Sequence, residues 1–208
     1  MMESSVMSVD VLLAKFGDKV QENVSLAPYT SARIGGHADY LIAANSSDEL
    51  AEIMTTIWQQ HLPYFILGGG SNVLVSDKGV RGITVLNRAK AVRFENGSQP
   101  KVWVESGVVF SNLANRCASK GLSGLEWAAT VPGTIGGAVY GNAGAYDGDM
   151  AGNLIWAEIL TESNRERWSL EEMAYGYRTS ILKRVETKTI VLSAELSLKN
   201  ATKEEVSV

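Results

Sequence analysis

Cysteine occurs once in the 208 residues, at Cys117, and histidine twice, at His37 and His61. A lone thiol makes no internal disulfide, and these three side chains lack the spacing of a zinc ligand set, so no metal is expected and a reducing cytoplasm is the expected compartment. Charge of one sign is lacking too: 19 Lys+Arg against 23 Asp+Glu leave a formal net charge of −4. With no run of like charge, neither nucleic acid nor an anionic membrane surface is indicated, and an anionic ligand has to be held locally. The longest aliphatic runs, Val11–Ala14 and Leu41–Ala44, fall far short of the roughly 20 residues that span a bilayer. No signal-peptide pattern opens the sequence. What remains, 45% hydrophobic and 20% charged residues, is the composition of a globular protein able to bury one large core or two small ones.

Glycine is abundant. Of 20 in all, nine fall between Gly121 and Gly152. Glycine destabilises element interiors, so such a cluster implies turns or a surface that a ligand approaches closely.

Hydrophobic periodicity gives a coarse map. Residues 9–16 read as a short helix stopped by Gly17, and the polar stretch to Ser25 as a connector. ADYLIAA at 38–44 reads as a strand, and Ser46 with Glu49 as a capping box opening a helix to about Gln60. Its stripe of Leu50, Ile53, Met54, Ile57 and Trp58 belongs to a core. His61 then reads as a favourable charge or cap at the helix end, and His37 as a loop residue. Strands are predicted at 64–67, 73–75, 83–86, 91–94 and 101–105, a helix at 111–120 with Cys117 inward, a hairpin at 154–161 and 165–169, and a long alternating strand at 189–199. Ser169 with Glu172 makes a second capping box, and KNATKEEVSV at 199–208 reads as a helix opening. The class is α+β.

Three segments carry chemistry. Gly68-Gly69-Gly70-Ser71-Asn72 follows a strand directly, where successive backbone N–H groups can form an anion nest suited to a pyrophosphate. It fits neither a P-loop nor the G-x-G-x-x-G spacing, and a tight strand-to-strand turn stays open as the alternative. VPGTIGGA at 131–138 with GNAGAY at 141–146 is too glycine-rich for a packed core and has almost no bulky polar side chain. Backbone-lined binding of a large flat group accounts for that, as does close packing of a subdomain. YGYRTSILK at 175–183 gathers an Arg fork and a Lys point charge suited to a carboxylate or phosphate, or forms a solvated basic turn. No G-x-S-x-G elbow or catalytic histidine context is present. Redox chemistry on a borrowed cofactor would need no protein-borne base.

Taken in order, TSARIGGHAD at 30–39, GGGSNVLVSDKGVRG at 68–82, VPGTIGGAVYGNAGAY at 131–146 and YRTSILK at 177–183 resemble the UDP-N-acetylenolpyruvoylglucosamine reductase family. These are the MurB-type flavoenzymes, also called UDP-N-acetylmuramate dehydrogenases. The resemblance covers residues 23–199. It implies an α+β FAD-binding fold of the p-cresol methylhydroxylase/vanillyl-alcohol oxidase type. Two subdomains, 23–86 and 87–200, would hold FAD between them, after an N-terminal extension, 1–22, and before the start of a substrate domain, 201–208. FAD would be noncovalent, because the glycine loops contain neither His nor Cys.

The resemblance also implies roles. Gly68, Gly69, Gly70, Ser71 and Asn72 would bind the FAD pyrophosphate, while Gly133, Thr134, Gly136, Gly137, Ala143 and Gly144 would line the flavin and substrate side. Arg178 would be catalytic, polarising the enolpyruvyl carboxylate, and Tyr177 and Lys183 would bind substrate. The implied reaction uses NADPH to reduce UDP-N-acetylglucosamine enolpyruvate to UDP-N-acetylmuramate for peptidoglycan synthesis, in support of cell shape and division. The sequence departs from the family at Gly141, where a bulkier residue such as Met is common, at Asp147-Gly148 and at Leu182, where Phe is common. The family's proton-donating serine, in a G-S-x-F-K-N-P-like block, and its glutamate do not occur in these 208 residues. The chain is therefore expected to be the FAD-binding portion, holding FAD without reducing the substrate alone, with Ser180 and Tyr177 as the fallback proton donors. A flavin-binding module without reductase activity, and a flavin oxidoreductase with another substrate, are the alternatives.

Overall fold

The computed structural model describes residues 3–203, 205 and 206, with side chains from residue 9 onward. The chain divides into two compact units, one through Arg88 and one from Ala89.

The first unit opens with α1 (Glu3–Phe16), β1 (Val20–Ser25), β2 (His37–Ala44), α2 (Ser47–Gln59), β3 (Tyr64–Leu67) and β4 (Val80–Asn87). Its sheet has the order β1-β2-β4-β3, antiparallel between β1 and β2 and parallel elsewhere. The expected connector up to Ser25 is thus a strand. As an edge strand, β1 needs few inward apolar groups, and Val20 is its one buried residue, so its polar composition hides it. Leu12 of α1 is fully buried as well, and Lys15 pairs with Glu52 at 3.1 Å, so part of the stretch expected as an extension packs.

Ser46 caps α2 by accepting from the Glu49 N–H, but the box is half made. The Glu49 carboxylate turns to the Asn45 N–H at 2.7 Å and to Lys19 at 2.6 Å. The α2 stripe is core as expected, with Met54 at 0% and Trp58 at 5% exposure. His61 caps the helix end through its backbone. It sits at φ +51°, its N–H bonds the Trp58 carbonyl, and Leu62 bonds Ile57, the pairing of a Schellman motif. The expected strand at 73–75 is irregular backbone with Leu74 78% exposed. His37 opens β2 rather than lying in a loop.

The second unit runs β5 (Val92–Glu95), β6 (Lys101–Glu105), α3 (Phe110–Ala118), β7 (Leu122–Ser123), α4 (Ile135–Gly141), β8 (Gly144–Ala145), β9 (Gly148–Asp149), β10 (Leu154–Thr161), β11 (Arg165–Ser169), α5 (Leu170–Met173), β12 (Thr189–Ser197) and β13 (Lys199–Asn200). Its main sheet is antiparallel, in the order β11-β10-β12-β6-β5. Alternate residues Val102, Val104, Ala194 and Leu196 meet Phe110, Leu113, Cys117, Ile135 and Val139 of α3 and α4 in one core. The Ser169–Glu172 capping box is complete. In the expected helix opening near the end, Thr202 and Glu205 bond reciprocally and the Val206 N–H reaches the Thr202 carbonyl, one helical turn. Residues 204, 207 and 208 of that expectation lie outside the described residues.

Candidate functional site

The first glycine loop is a crossover. β3 and β4 run parallel, so residues 68–79 cannot form the tight strand-to-strand turn left open above; parallel neighbours need a longer return path. Gly70 sits at φ +64°, and a Cβ there would overlap the Tyr29 carbonyl and the Thr30 backbone. The Ser31 N–H donates to the Gly70 carbonyl at 3.0 Å, and the Gly36 N–H to Ser76 at 3.0 Å. Blocks 30–39 and 68–82 are therefore one backbone-to-backbone assembly. Arg81 ion-pairs with Asp39, whose other oxygen accepts from the Gly82 N–H at 2.9 Å. Gly69 and Asn72 stay exposed at the loop surface.

In the second unit, the turn before α4 threads along residues 106–110. The Phe110 N–H donates to the Gly133 carbonyl, Ile135 to Val108 and Gly136 to Ser106, at 2.8–3.0 Å. Thr134 is buried at the N-cap, and Gly133 takes φ +104°. Packing accounts for several glycines: a Cβ at Gly136 meets Ser106 at 3.0 Å, one at Gly144 meets Gly148 at 2.8 Å, and one at Gly148 meets Trp127 at 2.5 Å. Gly137 differs. It is exposed in the middle of α4, and nothing lies within 4 Å of where its Cβ would be.

The C-terminal end of α4 is where the GNAGAY and YRTS blocks meet. A short helix leaves its last carbonyls without partners. Here the Tyr175 hydroxyl donates to the Val139 carbonyl at 2.9 Å and Ser180 Oγ to the Tyr140 carbonyl at 2.7 Å. Asn142, buried at φ +46°, is the left-handed C-cap, and its carboxamide bonds Gly176, Asp149 and Ala151. Beyond it, Tyr146 and Asp147 carry β8 into β9 with φ +48° and +62°.

Arg178 sits in a four-residue turn closed by two bonds between Gly176 and Thr179, at 3.0 and 3.2 Å. Its φ is +56°, a conformation that costs a non-glycine residue about 1–2 kcal/mol. Its Nη2 donates to the Gly144 carbonyl at 2.7 Å, and its own carbonyl accepts from Lys183 Nζ at 2.8 Å. Lys183 also lies 5.7 Å from the Tyr140 ring centroid. Tyr177 is 93% exposed.

The structure thus gathers Ala143, Gly144, Tyr177, Arg178 and Lys183 at one end of α4. Lys183 meets the arginine backbone instead of projecting alone, and Ala143 is pinned at both backbone groups, by Ala138 and Met150. The fallback donor Ser180 is fully buried, with its proton committed to Tyr140. The Tyr175 hydroxyl likewise donates to Val139, and burial, then the charge of Asp149, push its phenol upward. Sequence reasoning missed Asn142; the signal was an asparagine at a glycine-flanked helix end.

The first unit thus carries a glycine loop after a parallel strand, and the second a glycine-rich turn before a short helix. The FAD binding domain family matches residues 38–167, and the chain belongs to that family. Its sequence is 44% identical over 157 residues to a UDP-N-acetylenolpyruvoylglucosamine reductase of Rubrobacter xylanophilus, spanning 76% of this chain and 52% of that protein. The crystal structure of UDP-N-acetylenolpyruvylglucosamine reductase from Thermus caldophilus is similar with TM-score 0.72 and 34% identity, over 88% of this chain and 64% of that one. The chain spans less than two thirds of the length of both. An alkyldihydroxyacetonephosphate synthase, 16% identical, shares the fold alone with TM-score 0.67, over 94% of this chain and 40% of that one. The fold is the FAD-binding one of the p-cresol methylhydroxylase/vanillyl-alcohol oxidase type.

Proposed function

We propose that this chain serves the NADPH-dependent reduction of UDP-N-acetylglucosamine enolpyruvate to UDP-N-acetylmuramate, a cytoplasmic step of peptidoglycan precursor synthesis, on noncovalently held FAD. The carrying observation is Arg178. An exposed guanidinium on a strained left-handed backbone, aimed by a 2.7 Å bond to Gly144, is an arrangement its surroundings must hold in place.

The residues present fit the cofactor. Gly137 is the test: a glycine inside a helix costs about 0.5–1 kcal/mol relative to alanine, no neighbour within 4 Å requires it, and the close approach of a large flat group would. On this proposal the loop Gly68–Asn72 in the first unit takes the pyrophosphate on its backbone. The 133–144 segment in the second lines the flavin side. When bound, FAD would supply a hydride, derived from NADPH, for the enolpyruvyl methylene carbon, with a proton ultimately from solvent completing the reduction at the adjacent carbon. Arg178 offers its fork to the enolpyruvyl carboxylate, orienting it and stabilising the negative charge that develops there. Tyr177, exposed beside it, contributes a ring and hydroxyl to the substrate.

Titrating the purified chain with FAD, and following NADPH oxidation with and without the enolpyruvyl substrate in the active reductase, tests both halves. Saturable flavin quenching is expected, with the chromophore released by acid. Oxidation no faster with substrate than without it would defeat the reductase assignment.

A further inference from the structure

Asn142 is bonded on both sides of the Arg178 contact, to the turn that carries Arg178 and to the strand partner of Gly144. Its Nδ2 donates to the Gly176 carbonyl at 3.0 Å, at the base of the turn that carries Arg178. The same nitrogen donates to Asp149 Oδ2 at 3.2 Å, and Asp149 pairs with Gly144, whose carbonyl receives the guanidinium. Its Oδ1 accepts from the Ala151 N–H at 3.0 Å, fixing the stretch that follows β9. Both donor hydrogens and one acceptor site of a 5% exposed carboxamide are therefore used, and they bridge the turn to the hairpin.

We propose that Asn142 is the positioning residue of Arg178: one buried carboxamide sets the separation between the turn that carries the guanidinium and the hairpin that receives it. The inference rests on the proposed role of Arg178 as the carboxylate-binding group. No short polar residue other than asparagine serves both needs. Aspartate would turn a carboxylate toward Asp149 and the Gly176 carbonyl, three acceptors without a donor. Alanine would lose all three bonds and sit badly at φ +46°. Lys183, bonded to the Arg178 carbonyl, then locks the far side of the same turn.

Glycine separates the two duties of this position, because it accepts the left-handed cap at no steric cost while removing the carboxamide. The experiment is guanidinium NMR on the ¹⁵N-labelled 208-residue chain, with the Arg178 resonances assigned by their loss in Arg178→Lys. In the parent, hindered rotation of a bonded guanidinium should give resolved Nη signals for Arg178. Asn142→Gly should collapse these to an averaged signal while the other arginines and the far-UV spectrum are unchanged. Should Asn142→Gly fail to fold, Asn142→Asp, which keeps the acceptor for Ala151, carries the same test. Unchanged Arg178 signals in a folded variant overturn the proposal.

A double-mutant cycle on affinity for the enolpyruvyl substrate, in the active reductase, gives the functional arm. Asn142→Gly should weaken binding about 10-fold with Arg178 present and less than about 2-fold in the Arg178→Ala background. Equal losses in both backgrounds would mean that Asn142 does not act through Arg178. If Arg178→Ala itself leaves affinity unchanged while the NMR result holds, the functional assignment fails and the positioning stands.

Discussion

Arg178 and Gly144 lie 34 residues apart, and the 2.7 Å bond from Nη2 to the Gly144 carbonyl is the contact that orients the guanidinium. Since Arg178 is at φ +56°, glycine suits its backbone better than arginine does. Arg178→Gly should therefore leave the melting temperature unchanged or slightly higher. Substrate-dependent NADPH oxidation should fall by ~100-fold or more, the scale of losing one preorganised charge contact. Arg178→Lys keeps the charge without the fork and should recover only part of it. A folded Arg178→Gly variant with near-parent turnover would show that the strain serves something else.

Gly137→Ala should move stability and flavin affinity in opposite directions. The Cβ has open space and α4 gains a better helix former, so folding should strengthen by about 0.5–1 kcal/mol. The same methyl stands where the flavin side is proposed, so FAD affinity should drop. Chemical denaturation alongside fluorescence titration reads both. A stabilised variant with unchanged FAD affinity would remove Gly137 from the flavin site.

Gly70→Ala offers the contrast. The added Cβ overlaps the Tyr29 carbonyl, and φ +64° adds its own cost of about 1–2 kcal/mol, so both fold stability and FAD affinity should fall. Riboflavin, which has no pyrophosphate, should separate the two effects: FAD affinity should suffer more than riboflavin affinity if the loop holds the phosphates. Equal losses would place the damage in the fold alone.

What was legible in the sequence is what local pattern encodes. The 154–161 and 165–169 hairpin and the strand 101–105 appear at their expected limits, because alternation and turn residues act over a few positions. The α2 stripe, with Ile53 and Met54 fully buried, is equally local. Parallel pairing of β3 with β4 is not, since the pairing partner is set by the whole sheet, and with it went the meaning of the 68–79 loop. β1 was lost because one buried valine in six residues looks like a connector. At the candidate site the residue types were readable but their duties were not. Nothing in the local sequence says that Ser180 spends its hydroxyl on the end of α4, or that Arg178 adopts a backbone suited to glycine.

Cys117 gives a prediction with a pH sign. Its side chain is 1% exposed in the core of the second unit, and burial pushes the thiol up to about 12, against the smaller opposing effect of Arg116. Unfolded, it ionises near its ordinary value of about 8.5. Below that pH both states hold the proton and the thiol adds no pH dependence. Above it the unfolded chain releases a proton that the folded chain keeps, so stability falls as pH rises, by up to about 1.4 kcal/mol per pH unit, until the folded thiol itself titrates. Between about pH 8.5 and about pH 10 the loss attributable to this group should reach about 1.5 kcal/mol. Cys117→Ala should be less stable near neutrality, because it leaves a small void, yet lose less on going alkaline. Urea midpoints for both proteins across that range isolate the difference from the lysines and tyrosines they share. The thiol should also react with an aromatic disulfide reagent only as fast as the unit opens. Rapid labelling of the folded chain, or parallel pH slopes for parent and variant, would show that Cys117 is not the sealed core group described above.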